Sequence, residues 1–257
     1  MTQLTKSIFL VFDPSKELEY CAEAIKNAGF SHTFLWWGRG EDDRFRQIDI
    51  CDRLGLEIET AHTSFESINS MWLEGAEGEG ITDYLVQSVR EARECGIPVL
   101  IVHLSSSFTP PPRNTLGLSR YRRVCEEAEK QGVIIAFENL RRTEYLDYIM
   151  ENISSPARRF CFDCGHEFLY NNGMGVLEKH ASELVAFHLH DNFGEEDDHL
   201  LPFEGRIDWT DLAGRISKLK KVPPLTLEVM QRNSEPDFAE RAFECVCRIE
   251  SLVNKNV

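Results

Sequence analysis

No apolar stretch in this 257-residue chain approaches the roughly 18 residues that a membrane span requires. No Pro/Gly/Ser-rich linker or low-complexity tract divides it, so one domain over residues 1–257 is expected. Cations are scarce: 28 Lys and Arg stand against 43 Asp and Glu, a formal charge of −15. A field of that sign repels phosphate backbones, which disfavours DNA or RNA as a partner. A GxGxxG after the first apolar run, a P-loop and a serine nucleophile elbow are all missing. Their absence argues against dinucleotide binding, P-loop phosphate chemistry and serine hydrolysis. The N-terminal MTQLTKSIFLVFDP has one Lys and no small-residue cleavage site, so it reads as a first strand and not as a leader. A cytoplasmic protein is the resulting expectation. Its eight cysteines (21, 51, 95, 125, 161, 164, 245 and 247) are then expected as reduced thiols. Cys161 and Cys164 have CxxC spacing but no second pair, which supports neither a zinc ribbon nor a thioredoxin site.

What is present is an alternation of two periods. Short apolar runs alternate with amphipathic stretches, the signature of βα units around a parallel sheet. The runs are Ser7–Phe12, Thr33–Trp37, Glu57–His62, Pro98–His103, Val133–Glu138, Arg159–Asp163, Val185–His190 and Leu225–Val229, the third being polar and short. Helices are expected over Pro14–Asn27, with Asp13 as N-cap, and over Asp42–Leu54, Thr82–Cys95 and Leu118–Gln131. Gly29, Gly55, Gly96 and Gly132 follow them as left-handed stops. Eight strands, each followed by a helix, define an α/β fold, a single (β/α)8 TIM barrel; a doubly wound open sheet is the alternative.

Metal-competent residues gather at one end of these units. His62, His103, Glu138 and Asp163 end strands three to six, His166 follows, strand seven carries His188 and His190, and strand eight carries Glu228. In a barrel all such ends meet at one rim, where barrel enzymes keep their active sites. Six of the eight histidines fall there or, like His199, in the loop just after. Glu138 and Glu228 sit in otherwise apolar runs, AFENL and LTLEVM, and a buried carboxylate must be paired, protonated or metal-bound. Few cations lie near, which favours metal, and mixed carboxylate and imidazole ligands suit Mn, Zn, Co or Fe better than calcium. Trp36 and Trp37 can wall a sugar site by stacking or belong to the barrel core, with the core favoured, and Thr109–Pro112 reads as a rigid loop near the rim. Arg141 and Arg142 can meet a phosphate or carboxylate, or simply be solvated.

The runs FENL, FDCGH, HLHDNFGEEDDHLLPFEGRIDW and LTLEV resemble the xylose-isomerase-like barrel superfamily over strands three to eight. That group includes sugar-phosphate isomerases, ketose 3-epimerases, inosose dehydratases and, more distantly, endonuclease IV. The resemblance implies Glu138, Asp163, His188 and Glu228 as ligands of a divalent metal (Mn, Zn, Co or Mg). An HxH register would substitute His190 for His188. It implies Glu138 and Glu228 as the proton-transfer pair, and places His166, His190, His62 and His103 at the substrate. The endonuclease IV pattern asks for a further His–His pair and an Asp-x-His, which His62, His103, Asp197 and His199 can supply. One metal per chain is therefore the expectation, with up to three compatible.

The implied activity is isomerisation or epimerisation of a sugar, sugar phosphate or inosose-type hydroxy-ketone through a metal-stabilised enediolate. A dehydratase or lyase on a similar polyol, and a multi-zinc phosphodiesterase, are the alternatives. The expected partner is a small sugar or polyol, with no membrane, and a homo-oligomer is compatible with the sequence.

Overall fold

The computed structural model describes residues 3–171, 175–232 and 235–256. Eight strands alternate with helices along the chain. They are β1 (Lys6–Phe9), β2 (His32–Trp37), β3 (Glu57–Thr63), β4 (Val99–Val102), β5 (Ile134–Glu138), β6 (Arg158–Asp163), β7 (Leu184–His188) and β8 (Leu225–Leu227). The helices are α1 (Leu18–Ala28), α2 (Glu41–Leu54), α3 (Ala76–Glu94), α4 (Thr115–Gln131), α5 (Thr143–Asn152), α6 (Cys164–Asn171), α7 (Val176–Lys179), α8 (Trp209–Ile216) and α9 (Phe238–Lys255). Neighbouring strands pair in parallel in the order β7-β6-β5-β4-β3-β2-β1-β8. A parallel bridge between Leu189 and Leu227 joins the two ends. Leu189 N–H donates to the Thr226 carbonyl at 2.9 Å, and Glu228 N–H to the Leu189 carbonyl at 3.1 Å. The sheet is thereby a (β/α)8 barrel, and the open-sheet alternative falls.

Alternation along the strands divides the core. Ile135 and Phe137 of β5 face outward into the large apolar layer under the helices, whereas Ala136 packs inside with Ile101, Cys161 and Ala186. Side chains two apart share a face of a strand. Two residues beyond these four interior positions stand His103, Glu138, Asp163 and His188. The rim of the barrel interior is therefore built by the same periodicity as its packed layer.

Several boundaries differ from the sequence-based expectations, each for a local reason. The Asp13 carboxylate accepts from Ser15 N–H (3.0 Å) and Ser15 Oγ (2.6 Å), closing a turn, so the first helix starts at Leu18 and not at Pro14. Helix α3 begins at Ala76, six residues early, because Gly78 and Gly80 are tolerated inside it. Gly78 leaves room for the Arg120 guanidinium, which donates to the carbonyls of Ser70, Met71 and Leu73. Helix α4 starts at Thr115, capped by Asn114 Oδ1 accepting from Gly117 N–H at 2.9 Å. Strand β3, polar in sequence, is the longest of the eight because its polar side chains turn into the barrel. Strands β4, β7 and β8 are shorter than their apolar runs, so His103, His190 and Glu228 lie just past strand ends. Gly55 and Gly132 close α2 and α4 at φ of 63° and 70°, the left-handed stops their positions imply. All eight cysteines are unpaired thiols. No described helix is long and apolar enough to cross a membrane.

Candidate metal and active site

The barrel mouth holds a cavity of about 170 Å³ lined by Trp36, His62, Phe65, His103, Ser105, Ser106, Glu138, Arg141, His166, Asp197, His199 and Glu228. The strand ends supply its floor, and two devices hold that floor in place. Asn139 clamps Asp163 by a reciprocal pair, its amide donating to the Asp163 carbonyl and its oxygen accepting from Asp163 N–H, both at 2.8 Å. Asp163 Oδ1 then accepts from His166 N–H at 2.6 Å and caps the start of α6. The long loop after β7 is organised by Asp191, which accepts from the backbone of Phe203 (3.0 Å) and Ile207 (3.1 Å) and from Trp209 Nε1 (2.7 Å). That loop delivers Asp197 and His199. His199 sits at φ 50°, a strained setting for a non-glycine residue. Its Nδ1 contact to the Glu228 carbonyl (2.8 Å) and its carbonyl's bond from Met230 N–H (2.9 Å) hold it there.

Donor atoms converge in groups. Glu138 Oε2 lies 2.9 Å from His103 Nε2 and 3.3 Å from His62 Nε2, which are 3.2 Å apart. Glu138 Oε1 lies 3.3 Å from both His188 Nδ1 and His166 Nδ1, and His188 Nδ1 lies 3.2 Å from Glu228 Oε2. Ligand atoms of Glu138, Asp163, His188 and Glu228 all fall within 4.8 Å of one another, as do those of His62, His103 and Glu138, of His62, His188 and Glu228, and of His190, His199 and Glu228. Every residue assigned to the site from the sequence is thus brought to one rim. Between the two strand-seven histidines, His188 faces both glutamates, while His190 Nε2 points to Asp163 Oδ2 at 3.2 Å and stacks on His199.

The donor set fits a divalent cation. Three imidazoles are oriented by backbone carbonyls through Nδ1: His62 by Thr63 (2.8 Å), His166 by Asn139 (3.0 Å) and His199 by Glu228 (2.8 Å). Each therefore turns Nε2 toward carboxylates, the outer-shell arrangement of metal-ligating histidines. Asp197 Oδ1 is buried without a hydrogen-bond partner, with His199 Nε2 at 3.7 Å and His190 Nε2 at 3.8 Å. Those gaps are too long for hydrogen bonds and leave this oxygen free to accept from a ligand.

The carboxylates and imidazoles of the rim shift one another's protonation. Burial works to lower the His188 ring, but the Cys161 sulfur and the carboxylates of Glu228 and Glu138 outweigh it and hold it well above the ordinary range. Burial is likewise overcome at His166 by Asp163, Asp197 and Glu138, and at His199, pushed up to about 9, by Asp197 and Glu228. Burial raises Glu228, yet the His188 charge brings it down to about 2, and Glu138 is driven well below its usual range by His188 and His103. At His103 burial prevails and the ring is lowered.

Some site residues were not legible from sequence. Of the two readings open for the tryptophans, the site wall fits Trp36, which stacks on His62 (5.5 Å, 19°) and lines the cavity, and the core fits Trp37; Phe65, Ser105 and Ser106 had no such signal. Phe65 stacks on His103 (4.6 Å). Ser105 and Ser106 bring the loop before Thr109–Pro112 to the site. Only the barrel's closure puts these residues together.

Gly165 has a steric duty. A Cβ there would lie 2.0 Å from His190 Cε1 and 2.5 Å from its Nε2. Gly165→Ala is expected to displace His190 from Asp163, to lower stability by about 1–3 kcal/mol and to reduce bound cation. Full cation content by elemental mass spectrometry together with an unchanged melting temperature would refute this.

A barrel whose strand ends carry this carboxylate and imidazole rim defines a class of protein. Residues 22–249 match the xylose isomerase-like TIM barrel family model, and the chain belongs to that family. An uncharacterised protein of Sinorhizobium fredii, y4fM, is 32% identical over 179 residues, 63% of this chain and 58% of that protein. The chain thus matches little more than half of that relative's length. Among solved structures, a D-tagatose 3-epimerase-like protein superposes with a TM-score of 0.79 at 20% identity, covering 98% of this chain and 99% of its own. An L-ribulose 3-epimerase gives 0.80 at 16% identity, covering 99% and 96%. At such identities the likeness is one of fold.

Proposed function

We propose that this protein is a metal-dependent isomerase or epimerase acting on a sugar, sugar phosphate or related hydroxy-ketone. The observation that carries the reading is a pair of carboxylates, the buried Glu138 and the half-buried Glu228, that both approach His188 Nδ1, at 3.3 and 3.2 Å. Glu138, Asp163, His188 and Glu228 would hold the cation. Bound there, a divalent cation supplies Lewis-acid polarisation of a substrate carbonyl and stabilises the negative charge that develops on it.

The chain's own residues do the rest. Glu228 lines the cavity and its side chain is 15% exposed, against 1% for Glu138. Glu228 takes the proton from the carbon beside the carbonyl, and Glu138 returns one, to the opposite face for epimerisation. His166 and His190 position substrate hydroxyls. Trp36 and Phe65 form an apolar wall that limits water. The structural resemblance to sugar 3-epimerases supports this reading at the level of fold.

A second reading has its own support. The His62–His103–Glu138 and His190–His199–Glu228 groups offer further cation positions, and several zinc ions would favour phosphodiester hydrolysis. A dehydratase would use the same glutamates. One experiment separates them. Protein loaded with Mn, Co, Mg or Zn is assayed for metal content and for deuterium uptake from D2O into a panel of ketoses and inososes. One cation per chain with deuterium at the carbon beside the carbonyl is expected. Two to three zinc ions, phosphodiester cleavage and no exchange would overturn the isomerase reading, and net loss of water would redirect it to a dehydratase.

A further inference from the structure

Arg141 is the single Lys or Arg that lines the cavity among its described residues. Its neighbour behaves as an ordinary surface arginine: Arg142 is exposed, donates Nε to Glu144 at 2.6 Å and reaches the Phe108 carbonyl. Arg141 differs in every respect. It is half-buried and, among the described residues, forms no hydrogen bond or ion pair, although three carboxylates line the same cavity. What it does have is aromatic support. Its guanidinium lies 4.7 Å from the Tyr170 ring centroid and 5.4 Å from that of Phe108. Tyr170 in turn packs on His166 (5.6 Å) and on Phe108 (5.7 Å).

Ring faces can hold a guanidinium but cannot accept its in-plane N–H donors as carboxylates do. An arginine does not deprotonate, so the group remains charged with its five donors uncommitted by the protein. Fixing it on rings also removes rotamer freedom before any ligand arrives, which lowers the cost of binding. The charge has a second effect. Arg141 offsets the acidity of a rim that would otherwise repel a negative ligand, even when part of that acidity is neutralised by a cation.

We infer that Arg141 is a specificity-determining residue that receives an oxyanion, a phosphate or carboxylate, carried by the substrate away from its reacting carbon. This rests on the isomerase or epimerase reading for the words "reacting carbon", but the recognition itself is a matter of binding. The substrate class is thereby an anionic sugar, a sugar phosphate or sugar acid, and not a neutral ketose. Ser105 and Ser106, on the cavity wall, are placed to share that anion's remaining oxygens.

Equilibrium binding tests the inference independently of turnover. D-fructose, D-fructose 6-phosphate, a hexulosonate of the same chain length and inorganic phosphate are titrated calorimetrically into cation-free and cation-loaded protein. Wild type, Arg141→Gln and Arg141→Lys are compared, each checked for folding by its thermal melt. At least one anionic ligand is expected to bind about 10-fold or more tighter than D-fructose. Arg141→Gln is expected to weaken that ligand by about 10- to 100-fold, consistent with loss of a charge-assisted bidentate contact, and D-fructose by less than about 2-fold. Arg141→Lys, which keeps the charge but not the fork, should fall between. Whether the phosphate or the carboxylate responds identifies the source of the anion. No preference for either anion in wild type, or equal losses for charged and neutral ligands in Arg141→Gln, overturns the inference. Anion discrimination without any deuterium exchange would leave it standing while removing the isomerase reading. Exchange on neutral ketoses with no role for Arg141 would do the reverse.

Discussion

Glu138→Gln is expected to reduce turnover by about 10³-fold or more, the scale of a lost proton-transfer group compounded by a lost ligand. It is also expected to lower cation content. Glu138 is the one residue shared by the His62–His103 group and by the group of Asp163, His188 and Glu228. Its two oxygens divide between them, Oε2 to His62 and His103, Oε1 to His188 and His166. An amide puts an NH2 donor on one side and leaves a single acceptor, so one group must lose its bridging oxygen. Glu228→Gln makes the informative contrast. It should abolish activity to a similar degree but spare the His62–His103–Glu138 group, which does not include it. Metal content and kcat/KM of both variants decide the matter. Retention of full cation content and activity in Glu138→Gln would remove it from both roles. Equal cation loss in the two variants is expected for a single cation on Glu138, Asp163, His188 and Glu228, and greater loss in Glu138→Gln would reveal a second cation at His62 and His103.

The second large effect lies beneath the site. Glu59 of β3 is buried inside the barrel, where Thr226 Oγ1 donates to its Oε2 at 2.5 Å and Ser7 lies beside it. Burial raises its carboxyl from the ordinary 4.5 to about 7, against the opposing hydrogen bonds of Thr226 and Ser7. An acid raised in the folded state contributes its full stability below the unfolded value. That contribution declines as the pH climbs from about 4.5, and is gone above about 7. The swing is worth about 3 kcal/mol. Glu59→Gln, which cannot ionise, should therefore gain about 3 kcal/mol on the wild type between pH 4 and pH 8. Urea unfolding of both proteins across this range measures the difference directly. A stability difference that stays flat with pH would show that Glu59 is not held neutral. Other titrating groups are common to both proteins; among the rim histidines His188 couples to Glu59 and opposes the shift that burial causes.

The barrel was legible in the chain because its cause is local. Eight short apolar runs alternating with amphipathic stretches need no distant information, and the glycine stops at 55 and 132 mark where helices must end. Strand β3 was found where expected, but its signal in the sequence was the faintest of the eight, for a reason that is also physical. Its Glu59, Thr60 and His62 are polar yet buried, so a strand facing a polar interior lacks the apolar pattern that announces strands. The rim was legible in kind, since histidines and carboxylates at strand ends must meet once the sheet closes. That periodicity selected Glu138, Asp163 and His188 as inward neighbours of Ala136, Cys161 and Ala186.

Residue types and their register, then, are properties of the sequence: they dictated a closed barrel with a metal-competent rim. Tertiary structure alone decided which atoms face one another. His188 rather than His190 meets both glutamates because β7 ends at His188 and the chain then crosses to β8. Asp191 ties down the loop instead of binding at the rim, and Arg141 rests on rings brought from the loop after β4 and from α6. Such contacts join residues far apart in the chain, and periodicity, which reports only which side a residue faces, carries no information about its partner.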